Sequence, residues 1–333
     1  MTDANSTCQF RMSLLHEPLV TVFGVLFSFI AVATVLGNIL VLAVLRLGIN
    51  GKKSNHILTS LAISDLLVGL ILAPLTSWQL ITRNLHNCEV EAVRVYFTAF
   101  LICTSLLTVA LIALDRYILL TKLGHYRRCM TSKRTSILIL FAWLIPGIAP
   151  LLRFVGKYTY LSILILICFG SFLLLILSYY YLTKAVREKE KTLNSHRRDS
   201  RICFHLDSRR SKKQRAREKA HIKLAKIVII IVMCHFFCLI STNIWIAFDL
   251  LKVAYSFISP LTHQCLYLAA LVTSQINSCL NPVIYFLKNP EFRRGFRFLI
   301  KQELAYSSTK EHYDVSSTSM TVFNITMKEN SKC

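Results

Sequence analysis

The chain runs to 333 residues with a formal net charge of +22; 54% of it is hydrophobic and only 17% charged. Soluble domains average roughly 45–50% apolar and 25% charged residues, so these proportions exclude an ordinary globular protein in water. The charge is large enough to invite nucleic acid, but it lies in the gaps between apolar blocks, where an anionic inner leaflet is the better partner.

Residues 1–18 form a polar leading segment in which Asn5-Ser6-Thr7 is a glycosylation sequon, predicting a glycoprotein modified at Asn5. No charged-then-apolar signal with a cleavage site is evident there, so the first apolar block is expected to act as the insertion signal. Seven blocks follow: Leu19–Leu45, His56–Ile81, Ala92–Leu120, Thr135–Leu152, Tyr160–Leu182, Ile222–Leu251 and Leu261–Leu287. Each is long enough to cross a bilayer as a helix, some with tilt. None alternates like an outer-membrane strand, so the predicted fold class is an all-α membrane protein, a seven-helix bundle over residues 19–287.

The gap after block one carries Arg46, Lys52 and Lys53, and the gap after block three carries Arg127, Arg128, Lys133 and Arg134. After block five comes a third inner loop, about residues 184–221; Lys184 to Lys226 holds sixteen of the 39 Lys and Arg residues. The alternate gaps offer little beyond Arg83, Arg153, Lys157 and Lys252. Positive residues stay inside. The amino terminus is therefore expected outside, the carboxyl terminus in the cytoplasm, and the protein in the plasma membrane as a multi-pass chain.

Block two contains Asp65 in the middle of an apolar run. A carboxylate at the bilayer centre costs about 2.5–3.5 kcal/mol unless it faces a bundle interior and finds partners. Asp65 thus predicts a polar chamber inside the membrane. In block seven, Asn277, Asn281 and Tyr285 recur at helical spacing on one face. After it, Lys288-Asn289-Pro290 interrupts the chain. Residues 288–301 then read as an amphipathic helix, with Phe292, Phe296 and Leu299 on one face and Arg293, Arg294 and Arg297 elsewhere, lying on membrane lipid. A polar tail, 302–333, carries Ser307-Ser308-Thr309 and Ser316-Ser317-Thr318-Ser319 as phosphorylation candidates. Of the 11 cysteines, only Cys8, Cys88 and Cys265 are predicted outside, which permits at most one bridge.

Gly37-Asn38 in span one, Leu61-Ala62-Ile63-Ser64-Asp65 in span two, Asp115-Arg116-Tyr117 ending span three, Trp143 in span four and Asn281-Pro282-Val283-Ile284-Tyr285 in span seven occur in this order. The set resembles the rhodopsin-like (class A) family of G protein-coupled receptors. The resemblance implies an extracellular ligand, a heterotrimeric G protein, and arrestin and receptor kinases at the tail. It implies no enzyme, and no catalytic triad, zinc spacing or phosphate loop is visible. It also implies a sodium pocket at Asp65, Ser105, Asn277, Ser278 and Asn281, emptied as span six moves outward. The other reading is a hydrogen-bonded polar core without an ion; an unpaired Asp65 charge is the costlier alternative, which favours the ion.

The resemblance further implies coupling and activation through Asp115, Arg116, Tyr117, Tyr179 and Tyr285. Arg116 would be held by Asp115 at rest and then reach the G protein. Its second resting partner in the family, an acid at the start of span six, is replaced by Arg217, with Glu218 next; basal activity is expected to be raised. Tyr179 is read as the span-five tyrosine, with Tyr180 and Tyr181 as close alternatives.

Some positions depart from the family. Glu91 stands where the span-three cysteine of the outer disulfide is expected, the loop Arg153–Thr159 has no cysteine, and span five has no proline. These departures resemble the melanocortin branch, within the melanocortin–adenosine–cannabinoid part of the family, and imply a Cys8–Cys265 bridge with Cys88 as the rival partner for Cys8. Span six reads Cys234-His235-Phe236-Phe237 in place of Cys-Trp-x-Pro. His235 is then the switch residue, either titrating near neutral pH or sitting neutral in the core. Gln275 replaces the retinal lysine of opsins, so no retinal is expected, and Thr98 replaces the aspartate of amine receptors. By position the ligand cavity includes Gln79, Glu91, Thr98 and Thr242. Trp245, His263, Tyr267 and Gln275 complete it. The expected ligand is a melanocortin-like peptide or a small non-amine such as adenosine. The rival classes are an ion or proton transporter relaying through Asp65 and His235, which the lack of internal repeats disfavours, and a non-signalling dimer partner.

Overall fold

The computed structural model describes residues 17–48, 55–83, 88–122, 124–148, 157–202, 209–251 and 259–301. Span one is Glu17–Ala43, continued by a π turn at Val44–Gly48; span two is Asn55–Leu67, a π turn at Val68–Leu72, and Ala73–Ile81. Span three is Cys88–Thr121, span four Ser132–Ile148, span five Lys157–Ile202, span six Arg209–Leu251 and span seven Pro260–Lys288. A single helical turn, Tyr126–Cys129, lies between spans three and four. Residues 290–301 are a further helix after span seven. The chain is a seven-helix bundle, and among the described residues it has no strand.

Among the described residues, Pro18–Arg46, His56–Ile81, Glu89–Thr121 and Gln214–Trp245 are long and apolar enough to cross a membrane. Span seven instead buries a polar row, Gln264, Ser274, Gln275, Asn277, Ser278 and Asn281. Such a face is tolerated in a bilayer only when it points into the bundle. Outward-facing residues such as Phe29, Phe141, Leu173 and Phe237 form the lipid face. Phe237, where the family keeps a kinking proline, is 61% exposed and points away from the core.

Close helix contacts hold the polar face in place. A Cβ on Gly37 would sit 3.0 Å from Pro282 Cγ, so the missing side chain lets span one lie against span seven. One residue on, Asn38 Nδ2 donates to the Thr34 carbonyl and, at 3.2 Å, to the Ser278 carbonyl. At the outer end a Cβ on Gly24 would meet Ile81 Cγ1 at 2.6 Å. Pro74, which cannot make the helical N–H bond, lies just past the π turn of span two, and that turn stands one step above Asp65.

The main apolar core lies in the inner half and joins Val41, Leu61, Val109, Leu175 and Ile231 from five spans. A smaller outer cluster joins Phe27, Leu80, Tyr267 and Leu268. The stretch expected as a third inner loop is helical over most of its length, because span five runs on to Ile202 and span six begins at Arg209. Ala185, Val186, Ile222 and Ala225 are buried there in the main core. Two ion pairs cross between the extensions, Lys226–Glu190 at 2.7 Å and Lys189–Glu218 at 3.8 Å. Their Lys, Arg and Glu residues are strong helix formers, which a reading by polarity alone passes over.

Candidate functional site

Asp65 is fully buried on span two, and Asn281 Nδ2 of span seven donates to its Oδ2 at 2.7 Å. Ser278 and Ser105 face the same carboxylate. Asn277 lies one turn before Asn281 and is also buried. Four of the five expected pocket residues, Asp65, Ser105, Ser278 and Asn281, thus meet from three spans, and Asn277 is buried one turn away on span seven. Among the described residues, Asp65 Oδ1, Asn277 Oδ1 and Asn281 Oδ1 accept no hydrogen bond. Each unmet buried acceptor costs about 1–3 kcal/mol. Carboxylate, amide and hydroxyl oxygens are the donor set that hard cations select. No group of three His, Cys, Asp or Glu suited to a metal occurs among the described residues. The oxygens that line the chamber are of the kind that could hold a hard cation.

His235 sits above this chamber on span six and is 0% exposed. Its Nδ1 is 3.0 Å from the Ile231 carbonyl, which can only accept, so Nδ1 carries a proton and donates. Nε2 is then the acceptor of a neutral ring, and the Ser105 hydroxyl donates to it across 3.3 Å. Both ring nitrogens are satisfied without a second proton. Ser105, which has a single hydroxyl hydrogen, thus lies between His235 Nε2 and the Asp65 carboxylate.

At the inner end, Arg116 and Asp115 are buried, with Arg116 Nε 3.4 Å from Asp115 Oδ2. The other oxygen, Asp115 Oδ1, accepts from the Tyr126 hydroxyl at 2.6 Å. Burial and the Asp115 carboxylate push the Tyr126 phenol above its usual range, so it donates as a neutral phenol at physiological pH. Tyr117 packs edge to face on Tyr181 at 6.1 Å, whereas Tyr179 is 37% exposed. The described ring contacts therefore bring Tyr181 to span three. Tyr285 is buried beside Phe292, and its hydroxyl makes no hydrogen bond among the described residues. Glu218, next to the expected lock position, pairs with Lys189 of span five.

In the outer half, Glu91 is paired with Arg94, a buried arginine that the sequence reading passed over. Tyr267 joins both, its hydroxyl donating to Glu91 Oε1 at 3.1 Å. Trp245 packs on Tyr267 at 4.9 Å, and His263 lies 6.1 Å from Trp245. Thr98 turns its hydroxyl back onto the Arg94 carbonyl at 2.7 Å. Gln275 Nε2 donates to Thr76 Oγ1 at 3.1 Å, Gln79 is buried, and Thr242 leans toward the Ala270 carbonyl at 3.4 Å. Glu91, Trp245, His263 and Tyr267 thus form one cluster, while Thr98, Thr242 and Gln275 are engaged separately. The i, i+3 spacing of Glu91 and Arg94 was the available signal for the missed arginine. Cys265 is exposed; Asn5, Cys8 and the tail candidates lie outside the described residues, as does the side chain of Cys88. The Cys8–Cys265 and Cys8–Cys88 alternatives therefore fall outside them too.

Residues 37–160 and 152–285 match the profile of the family described as 7 transmembrane receptor (rhodopsin family). Among individual relatives, 5-hydroxytryptamine receptor 4 of Rattus norvegicus is 24% identical over 82% of this chain and 74% of that receptor. Opsin-1 of Schistocerca gregaria is 28% identical over 93% of this chain and 84% of the opsin. Trace amine-associated receptor 365 of Petromyzon marinus is 24% identical over 83% and 78% of the two chains.

Proposed function

This chain belongs to the rhodopsin family of seven-transmembrane receptors, and we propose that it works at the plasma membrane, amino terminus outside, with Arg116 presented to a heterotrimeric G protein. One observation carries the coupling assignment: the buried Asp115–Arg116 pair at the inner end of span three. Tyr126 holds Asp115 and Asp115 holds Arg116, so the arginine is restrained by groups that can release it without unfolding a span. Outward movement of span six would open the floor beside Arg116. Because Glu218 and Lys226 bind span five, the inner ends of spans five and six are expected to move together.

Asp65, Ser105, Asn277, Ser278 and Asn281 would hold a sodium-type cation, which when bound supplies the charge that offsets Asp65. His235 joins span six to this chamber through Ser105, so a shift of span six disturbs the chamber directly. The same geometry gives a proton relay no support, since His235 bonds Ser105 and the Ile231 carbonyl rather than Asp65.

The ligand is read as a peptide or a small molecule without a cationic amine. Relatives named for 5-hydroxytryptamine and trace amines do not carry over that ligand, because Thr98 offers a hydroxyl already directed at the Arg94 carbonyl. Helix 290–301 seats Phe292 and Phe296 against span seven, ties Arg293 to the Leu287 carbonyl, and exposes Arg294 and Arg297 on the side that would meet inner-leaflet lipid. The tail beyond would take kinases and arrestin. Guanine nucleotide exchange on a purified heterotrimer, with full-length receptor in membranes, tests the reading. Wild type should accelerate exchange and Arg116→Ala, at equal surface expression, should not; equal rates would overturn it.

A further inference from the structure

Arg94 lies one turn above Thr98 on span three and is only 3% exposed. A guanidinium stays charged at any physiological pH, so at that depth it must be paired to offset its lost hydration. Glu91 provides the pair: Arg94 Nε donates to Oε2 at 2.9 Å and Nη2 donates to Oε1, the two-pronged geometry of an arginine–carboxylate contact. Nη2 also donates to the Tyr267 hydroxyl, and the Tyr267 ring lies 5.5 Å from the guanidinium carbon.

The two partners are not held equally. The arginine side chain is 4% exposed and the glutamate 20%, so the acid sits nearer the water. Of the two, Glu91 is the partner with a path to solvent, whereas Arg94 is packed on the Tyr267 ring. The side-chain bonds of Arg94 to Glu91 and Tyr267 run through Nε and Nη2. Trp245 and His263 extend the aromatic wall beside Tyr267. A cationic ligand would have to draw Glu91 away and leave Arg94 buried without a counter-charge, the costlier outcome. An anionic ligand exchanges one carboxylate for another.

We propose that Glu91 is an internal stand-in and that Arg94 is the head-group site for a small ligand bearing a carboxylate, its apolar body against Tyr267 and Trp245. The incoming carboxylate takes the Arg94 fork, Glu91 turns to solvent, and the Tyr267 hydroxyl transfers its contact, altering the join between spans three and seven. The link from this site to signalling rests on the receptor reading; the binding step does not.

The test is the thermal unfolding midpoint of purified full-length receptor with sodium benzoate or benzamide, sodium and ionic strength held constant. Benzoate should raise the midpoint saturably and benzamide should not. Glu91→Gln should bind benzoate about tenfold tighter, since the internal competitor is gone. The double variant Glu91→Gln with Arg94→Gln should lose the response. Equal shifts with benzamide, survival of the shift in the double variant, or no benzoate shift in Glu91→Gln would each overturn the proposal. If Glu91→Gln does not fold, wild type decides alone: a midpoint unmoved by benzoate, or moved equally by benzamide, overturns the proposal. Failure of the receptor reading would appear separately, in the Arg116→Ala exchange assay.

Discussion

Asp65 and Arg94 are both buried on the inward faces of neighbouring spans, yet their surroundings are built in opposite ways. Asp65 receives one close hydrogen bond from Asn281, and among the described residues its own Oδ1 and two buried amide oxygens, Asn277 Oδ1 and Asn281 Oδ1, accept nothing. Arg94 is met by a full opposite charge in a bidentate contact and by an aromatic hydroxyl. The first is a chamber with spare acceptors, suited to taking up a small cation. The second is already filled and can change only by exchange of one anion for another. His235, bonded to Ser105 and to its own helix, lies above the first and ties it to span six.

Substitutions can break or sharpen this contrast, and the largest effect is expected farthest inward. Arg116→Ala should reduce G protein exchange at least tenfold, the scale of losing a charged contact worth about 2–5 kcal/mol. Arg94→Ala should destabilise the receptor by about 1–3 kcal/mol in thermal unfolding, because it removes the charge-assisted bonds to Glu91 and the contact with Tyr267. A neutral result there would mean that the outer half is not held by a filled charge pair. Tyr126→Phe removes one hydrogen bond to Asp115, about 1 kcal/mol, and should raise basal exchange modestly. His235→Phe should leave the dependence of exchange on pH unchanged between about pH 6 and 8. A lost pH response would instead make His235 a titrating switch and redraw the boundary between the two sites.

Part of the inner chamber was legible from spacing, while Ser105 and Ser278 entered only through the family resemblance. Asn277, Asn281 and Tyr285 share a helix face, and a lone carboxylate in an apolar run can only point at such a face. Span order and most boundaries followed from apolar length, as with Pro260–Lys288 against an expected Leu261–Leu287. Arg94 was not legible in that way. Near the outer end of a span a charge reads as solvated, and only the packing of Tyr267 from span seven reveals that it is buried. Among three successive tyrosines the helical phase is set by tertiary contact, and it is Tyr181 that packs on Tyr117 of span three. The inner extensions of spans five and six were hidden for a related reason. Their charge suggested a solvated loop, while the buried Ala185, Val186, Ile222 and Ala225 hold them as paired helices.

The central claim is that the Asp65 chamber takes up a sodium-type cation and that its occupancy opposes the state that engages the G protein. Basal nucleotide exchange by full-length receptor, measured in sodium chloride and in N-methylglucamine chloride at equal ionic strength, tests it most directly. Sodium should slow exchange by wild type and leave Asp65→Asn unaffected, because a ligand shifts an equilibrium only through its preference for one state. A sodium effect that survives in Asp65→Asn, or its absence in an active wild type, would contradict the account.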